Sequence, residues 1–168
     1  MRHKHRAAKR RVALGLSAAA IAYAVVHGRL RRYEIVELSM QPALDPGDFV
    51  IALPMRDICR GEIVILEHPN VANFQLVKRI VGLPSELVTI HNGQTHIDGD
   101  VLAERWADGP TFPDGEWQLG PGEVFVLGDN RAASSADGRT LGPIPGETIR
   151  WRVVARYWPL RTAGRIMP

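Results

Sequence analysis

The chain has 168 residues, 45% apolar and 23% charged, with a formal net charge of +3 and a single cysteine, Cys59. That composition excludes wholesale disorder and suits one domain with a short appendage, and the lone cysteine excludes an internal disulfide and CxxC motifs. Residues 1–32 hold nine Lys/Arg and no acid, so residues 33–168 carry twelve basic groups against eighteen acidic ones, an acidic body without the clustered cations that phosphate binding needs.

In chain order, residues 1–11 read as a basic tail and 12–28 as a transmembrane anchor. Val12 to Val26 is 15 residues without a charge, and the basic cluster Arg29, Arg31 and Arg32 follows it. A spanning helix needs about 20 apolar residues, and His27, Gly28 and Leu30 extend the stretch while the arginines snorkel. Two alternatives stand beside the anchor. One is a cleaved signal peptide, for which Ala22-Tyr23-Ala24 has the small-x-small form. The other is a helix lying on the body, against which the absence of a polar stripe counts. The heavier positive charge before the segment predicts a cytoplasmic N-terminus and a body that faces outward.

Residues 33–160 form the predicted body. Short β-branched runs predict strands over Tyr33–Val36, Phe49–Leu53, Ile63–Leu66, Leu76–Val81, Leu87–His91, Thr95–Ile97, Val124–Leu127 and Ile149–Tyr157. Turn residues separate them, among them Pro46-Gly47, Asn92-Gly93, Asp98-Gly99 and Pro121-Gly122. Asn92-Gly93 is a strong hairpin signal, because both central residues of a type I′ turn take positive φ. Residues 103–121 read as a longer loop. The fold class is mostly β, an antiparallel body with one N-terminal transmembrane helix.

Three clusters can carry chemistry. Ser39 lies between the first strand and Pro42, where a hydroxyl can meet a substrate or simply make a turn. Lys78 alternates with Leu76 and Ile80, so it shares their apolar face. Burial there favours the neutral amine, which can act as a general base; an edge-strand lysine that blunts aggregation fits the same pattern. Asp129, Arg131, Asp137 and Arg139 follow a buried-looking strand. They fit either a braced loop or a solvated turn. His68, His91 and His96 lack a Gly-x-Ser-x-Gly companion, and turn chemistry accounts for His91, His96, Asp98 and Asp100 better than a metal site does.

Taken together, Ser39-Met40-Gln41-Pro42, Gly61-Glu62-Ile63-Val64, Lys78-Arg79-Ile80-Val81-Gly82 and Gly128-Asp129-Asn130-Arg131 with Ser135, Asp137 and Arg139 resemble the boxes of the type I signal peptidases. These are membrane serine proteases of the Ser/Lys class. The resemblance runs from about Tyr33 to Trp158. It implies Ser39 as nucleophile, Lys78 as general base and Ser135 as the group orienting the lysine. It further implies Asp129, Arg131, Asp137 and Arg139 as supports, and Met40 and Pro42 beside the substrate. The implied partners are precursor proteins bearing signal peptides, cut after small residues, and the lipid bilayer of the plasma membrane. Phe74, Trp106, Phe112 and Trp117 are the candidates for contact with lipid. Nucleic acid, cofactor and metal are not expected.

Three positions depart from the family pattern. Glu37 stands where the family has a small residue two places before the nucleophile. One extra residue precedes Ser135, which makes Ser134 a second candidate for its role. Gly138 replaces a serine. The Arg32 to Met40 region also resembles maturation proteases for nickel-type superoxide dismutase, which makes a protease dedicated to one precursor the first alternative. A membrane-tethered relative that binds peptides without cutting them is the second, motivated by Glu37.

Overall fold

The computed structural model describes residues 28–168. The basic tail and, apart from Gly28, the expected anchor lie outside the described residues. Among those described, no helix is long and apolar enough to cross a membrane. In chain order the strands are β1 (Arg31–Glu34), β2 (Phe49–Pro54), β3 (Ile63–Glu67), β4 (Gln75–Gly82), β5 (Leu87–His91), β6 (Gln94–Ile97), β7 (Asp100–Val101), β8 (Gly115–Gln118), β9 (Glu123–Leu127), β10 (Ile144–Pro145), β11 (Ile149–Trp158) and β12 (Gly164–Arg165). A one-turn helix, α1 (Gly138–Leu141), stands between β9 and β10.

The strands form two sheets. The larger has the order β1-β2-β11-β3-β4-β9-β10, with β12 pairing to β11. Its successive pairs from β2 to β10 are antiparallel. The smaller has the order β7-β6-β5-β8, antiparallel throughout. The predicted hairpin at Asn92-Gly93 is present: both residues have positive φ, 51° and 77°, and His91 faces Gln94 across the turn. The predicted loop over 103–121 is corrected in part, because β8 lies within it and pairs with β5.

The apolar runs become the core. Val81, Val88, Ile90, Leu119, Phe125 and Leu127 interlock the small sheet with the end of the large one. Full burial of such side chains stabilises by about 1.5–3 kcal/mol each. Trp117, a candidate for lipid, is half-buried and packs on Phe125 with ring centroids 4.8 Å apart. Trp106 lies beneath the Arg79 guanidinium at 5.0 Å; Phe74 and Phe112 are exposed. β4 is hydrogen-bonded on one side by β3 and on the other by β9. The edge-strand alternative for Lys78 is therefore overturned: the lysine sits on an interior strand with Leu76 and Ile80 buried on either side of it.

Candidate active site

Ser39 occupies a single 3-10 turn, Leu38–Met40, entered from Glu37 in an extended conformation. The turn is short because Gln41 N–H returns to the Leu38 carbonyl at 3.1 Å and Pro42 lacks the N–H that would continue it. Met40 anchors the turn from below, buried with Ile35, Leu44 and Val50. From the other side, Asn130 N–H donates to the Ser39 carbonyl at 3.1 Å. The turn is thus pinned by a core side chain and by the segment that follows β9.

Strand alternation brings Lys78 to the same place. Its side chain is 2% exposed, and Nζ lies 2.9 Å from Ser39 Oγ, donating to it. In the neutral amine, the lone pair can accept the hydroxyl proton across the same contact. Burial drives the Lys78 pKa down from its ordinary value. The negative charges of Asp137, Glu37 and Asp129 oppose that shift, while the Arg139 charge adds to it. A lysine without a carboxylate in ion-pair contact, inside an apolar face, is set up to be neutral where a surface lysine is not.

Beyond Lys78 the charges are paired. Arg79, on the opposite face of β4, clasps Asp129 at 2.8 and 2.6 Å and donates to the Gly61 carbonyl at 2.5 Å. Arg131 bonds the Gly128 carbonyl at 3.0 Å, Glu104 at 3.0 Å and the Thr111 hydroxyl. Arg139 holds Asp137 at 3.0 and 2.8 Å and also donates to the Arg131 carbonyl. Asp129, Arg131 and Asp137 are buried, so the solvated-turn alternative is overturned. Burial pushes the Asp129 carboxyl up, with Arg79 working against it. Burial pushes the Asp137 carboxyl up too, but hydrogen bonds from Arg139 and Ser134, with the Arg139 charge, outweigh it and hold the group below its ordinary range.

The two candidate serines separate clearly. Ser134 is buried and donates to Asp137 Oδ2 at 2.7 Å. Ser135 is exposed and lines the cavity that holds Ser39 and Lys78. Neither hydroxyl is hydrogen-bonded to Lys78. Gly128 permits this closeness: a Cβ there would meet the Ser39 carbonyl oxygen at 2.7 Å and Ser134 nearer still. Met40 is a core residue whose edge lines a second cavity beside Ser39. Pro42 is exposed and lines neither cavity.

Ser39, Lys78, Asp129, Arg131, Asp137 and Arg139 are thus brought together where the middle of β4 meets the C-terminal end of β9. Sequence reasoning gave no role to Arg79, Glu104, Thr111 or the Asn130 N–H. A signal for Arg79 existed: alternation on an interior strand buries both faces, and a buried arginine demands a carboxylate. Its partner could not be chosen from the sequence, because Asp129 and Asp137 stand close to each other and both far along the chain from Arg79. Nor do His91 and Asp98 converge on a common centre, for His91 Nδ1 pairs with Asp114 at 3.0 Å and Asp98 accepts from Leu87 N–H.

A profile of the family described as signal peptidase, peptidase S26, matches residues 8–158. Signal peptidase I of Leptolyngbya laminosa is 34% identical over 147 residues, covering 77% of this chain and 70% of that protein. Probable signal peptidase I-2 of Synechocystis is 33% identical over 136 residues, covering 75% and 62%. Thylakoidal processing peptidase 1 of Arabidopsis thaliana is 35% identical over 140 residues, covering 74% and 41%. The chain therefore spans less than two thirds of two of these three relatives. A crystal structure of a signal peptidase I from Enterococcus faecalis shares the fold at a TM-score of 0.50 and 24% identity, over 56% of this chain and 95% of that one.

Proposed function

The chain belongs to the peptidase S26 signal peptidase family, and on that premise we propose that it is a serine endopeptidase that removes signal peptides from exported precursors, with Ser39 as nucleophile and Lys78 as general base. The observation that carries the dyad is the 2.9 Å contact between Lys78 Nζ and Ser39 Oγ, made where burial favours the neutral amine.

Ser39 Oγ attacks the carbonyl carbon of the scissile bond while its proton passes to Lys78 Nζ. The tetrahedral intermediate collapses as the Lys78 ammonium protonates the leaving amine, which departs and leaves an ester on Ser39. Water then attacks the ester, giving its proton to Lys78, and the new carboxyl end leaves as Ser39 recovers its proton. The Ser39 N–H is the oxyanion donor at the nucleophile itself. Asp129, Arg131, Asp137 and Arg139 are positioning residues, and Ser135 is the hydroxyl that meets the lysine once substrate closes the cavity. The apolar cavities beside Ser39 take the small side chains that precede the cut. The enzyme works at the plasma membrane on an anchor over residues 12–28, its N-terminus cytoplasmic and its body outside.

The test is cleavage of an Ala-x-Ala precursor in detergent by wild type, Ser39→Ala and Lys78→Ala. Cutting by wild type alone supports the dyad. Full activity in either variant removes that residue from the chemistry, and an inert wild type removes the general signal peptidase reading. Retention in the membrane pellet after alkaline carbonate tests the anchor.

A further inference from the structure

Resting on the peptidase reading, we propose that Glu37 is a specificity-determining residue, one that binds a cationic side chain of the precursor within three positions of the scissile bond. Glu37 lies two residues from the nucleophile and lines both cavities beside it. Among the described residues, only Ser39, Phe74 and Leu76 share that property. A peptide that runs from one cavity to the other across Ser39 must pass all four. Three of them offer an apolar wall and a hydroxyl; Glu37 alone offers a charge.

Its carboxylate has no structural task. It makes no cap bond to the 3-10 turn it precedes, and among the described residues it makes no hydrogen bond or ion pair. The other acids near the dyad, Asp129 and Asp137, are buried and clasped by arginines. Glu37 is exposed, with exposed Val36 and Phe74 beside it along the cavities. A carboxylate against apolar walls gains more from an arriving cation than one in open water does. Among the described residues, the lysine or arginine that lines a cavity with it is Lys78, and that charge is lost when the lysine becomes a base. The demand for a counter-ion is therefore greatest in the state competent for chemistry, and a lysine or arginine of the precursor meets it.

Docking of that cation also acts on the dyad. The Glu37 charge holds the Lys78 pKa up, so neutralising it favours the neutral amine. The remaining charges that face Lys78, from Asp137, Arg139 and Asp129, are fixed by their own pairs, and His68 lines the same cavity. For a cationic precursor the rise of kcat/KM with pH is expected to fall at lower pH than for a neutral one.

The experiment uses full-length protein in detergent and a set of Ala-x-Ala peptides carrying Lys, or Gln as the neutral control, at one position at a time from third before to third after the cut. Wild type is expected to prefer Lys over Gln at one position by about tenfold in kcat/KM, the scale of a charge-assisted contact. In Glu37→Gln that ratio should fall to near one, and in Glu37→Lys it should invert in favour of a Glu-bearing peptide. Glu34, which lines only the cavity without Lys78, supplies the contrast: Glu34→Gln should keep the preference. Binding of the same peptides to Ser39→Ala, followed by fluorescence anisotropy, gives a readout independent of turnover. Cleavage of the neutral peptide with no Lys preference at any position overturns this inference alone. Failure of wild type to cut any peptide overturns the peptidase reading and this inference with it. A uniform loss in Glu37→Gln across all peptides, with the Lys/Gln ratio intact, makes Glu37 a structural residue and overturns the proposal.

Discussion

Where the middle of β4 meets the end of β9, the ion pairs Arg79–Asp129, Arg131–Glu104 and Arg139–Asp137 have side chains no more than 9% exposed. On the small sheet the His91–Asp114 pair is 64% and 49% exposed. Both regions belong to one antiparallel β body and share the apolar seam around Phe125, yet they handle charge in opposite ways. Burying an ion pair costs desolvation that its mutual attraction only partly offsets. Three such pairs beside one lysine are therefore poor devices for stability. Their effect is positional: they fix the segment that holds Ser39 by its carbonyl and faces Lys78, and the small sheet has no such segment to hold.

The sharpest way to break this contrast is at the dyad. Ser39→Ala and Lys78→Met are expected to lower kcat by on the order of 10⁵-fold or more while leaving the thermal midpoint near that of wild type, measured by single-turnover cleavage and calorimetry. Next come the buried pairs. Asp129→Ala strands the Arg79 guanidinium and should cost about 3–5 kcal/mol in urea unfolding, with activity lost alongside. The pH dependence is third. On the proposed dyad neutral Lys78 is the base, so kcat/KM should rise about tenfold per pH unit until the lysine has lost its proton, then level off. Because burial lowers that pKa, the plateau should begin below the ordinary lysine value of 10.5; a flat profile would count against a lysine base.

Smaller effects separate the two serines and the two regions. Ser134→Ala removes one bond to an Asp137 that still has Gly128 N–H and Arg139, and should cost about 1 kcal/mol of stability. Ser135→Ala touches no buried partner and should alter turnover without altering stability. At the far end of the scale, Asp114→Ala on the small sheet should change unfolding by less than about 1 kcal/mol and leave cleavage intact.

Much of this was legible in the residues. The runs at Phe49, Ile63, Leu76, Leu87 and Val124 announce strands because β-branched residues recur between Gly, Pro and Asn turns, and Asn92-Gly93 fixes one register outright. Lys78 announces itself by alternating with Leu76 and Ile80. β8, in contrast, is Gly-Glu-Trp-Gln, which has no β-branched residue and only one apolar side chain in its alternation, and it owes its pairing to β5. β7, β10 and β12 are two-residue strands set by their neighbours. The site was legible as a set of residue types but not as a network. Which carboxylate meets Arg79, and which of Ser134 and Ser135 turns inward, depends on the path of a loop that Gly128 lets pass within contact of Ser39. Met40, which the resemblance sets beside the substrate, follows Ser39 in sequence and points into the core beneath it, with an edge on the cavity next to Ser39.

The tie between Asn130 N–H and the Ser39 carbonyl bears on how the chain folds. Ser39 and Lys78 are 39 positions apart, and Arg79 reaches 50 positions to Asp129. Contacts of such span are made only after their intervening loops have closed. No single hairpin carries the dyad, so reactivity of Ser39 toward an acylating reagent marks the closing of a 39-position loop and not the formation of local contacts. During refolding, acylation should lag behind the burial of Trp117 against Phe125, which needs only the small sheet and β9. The serine would then time the closing of that 39-position loop against the local packing that precedes it.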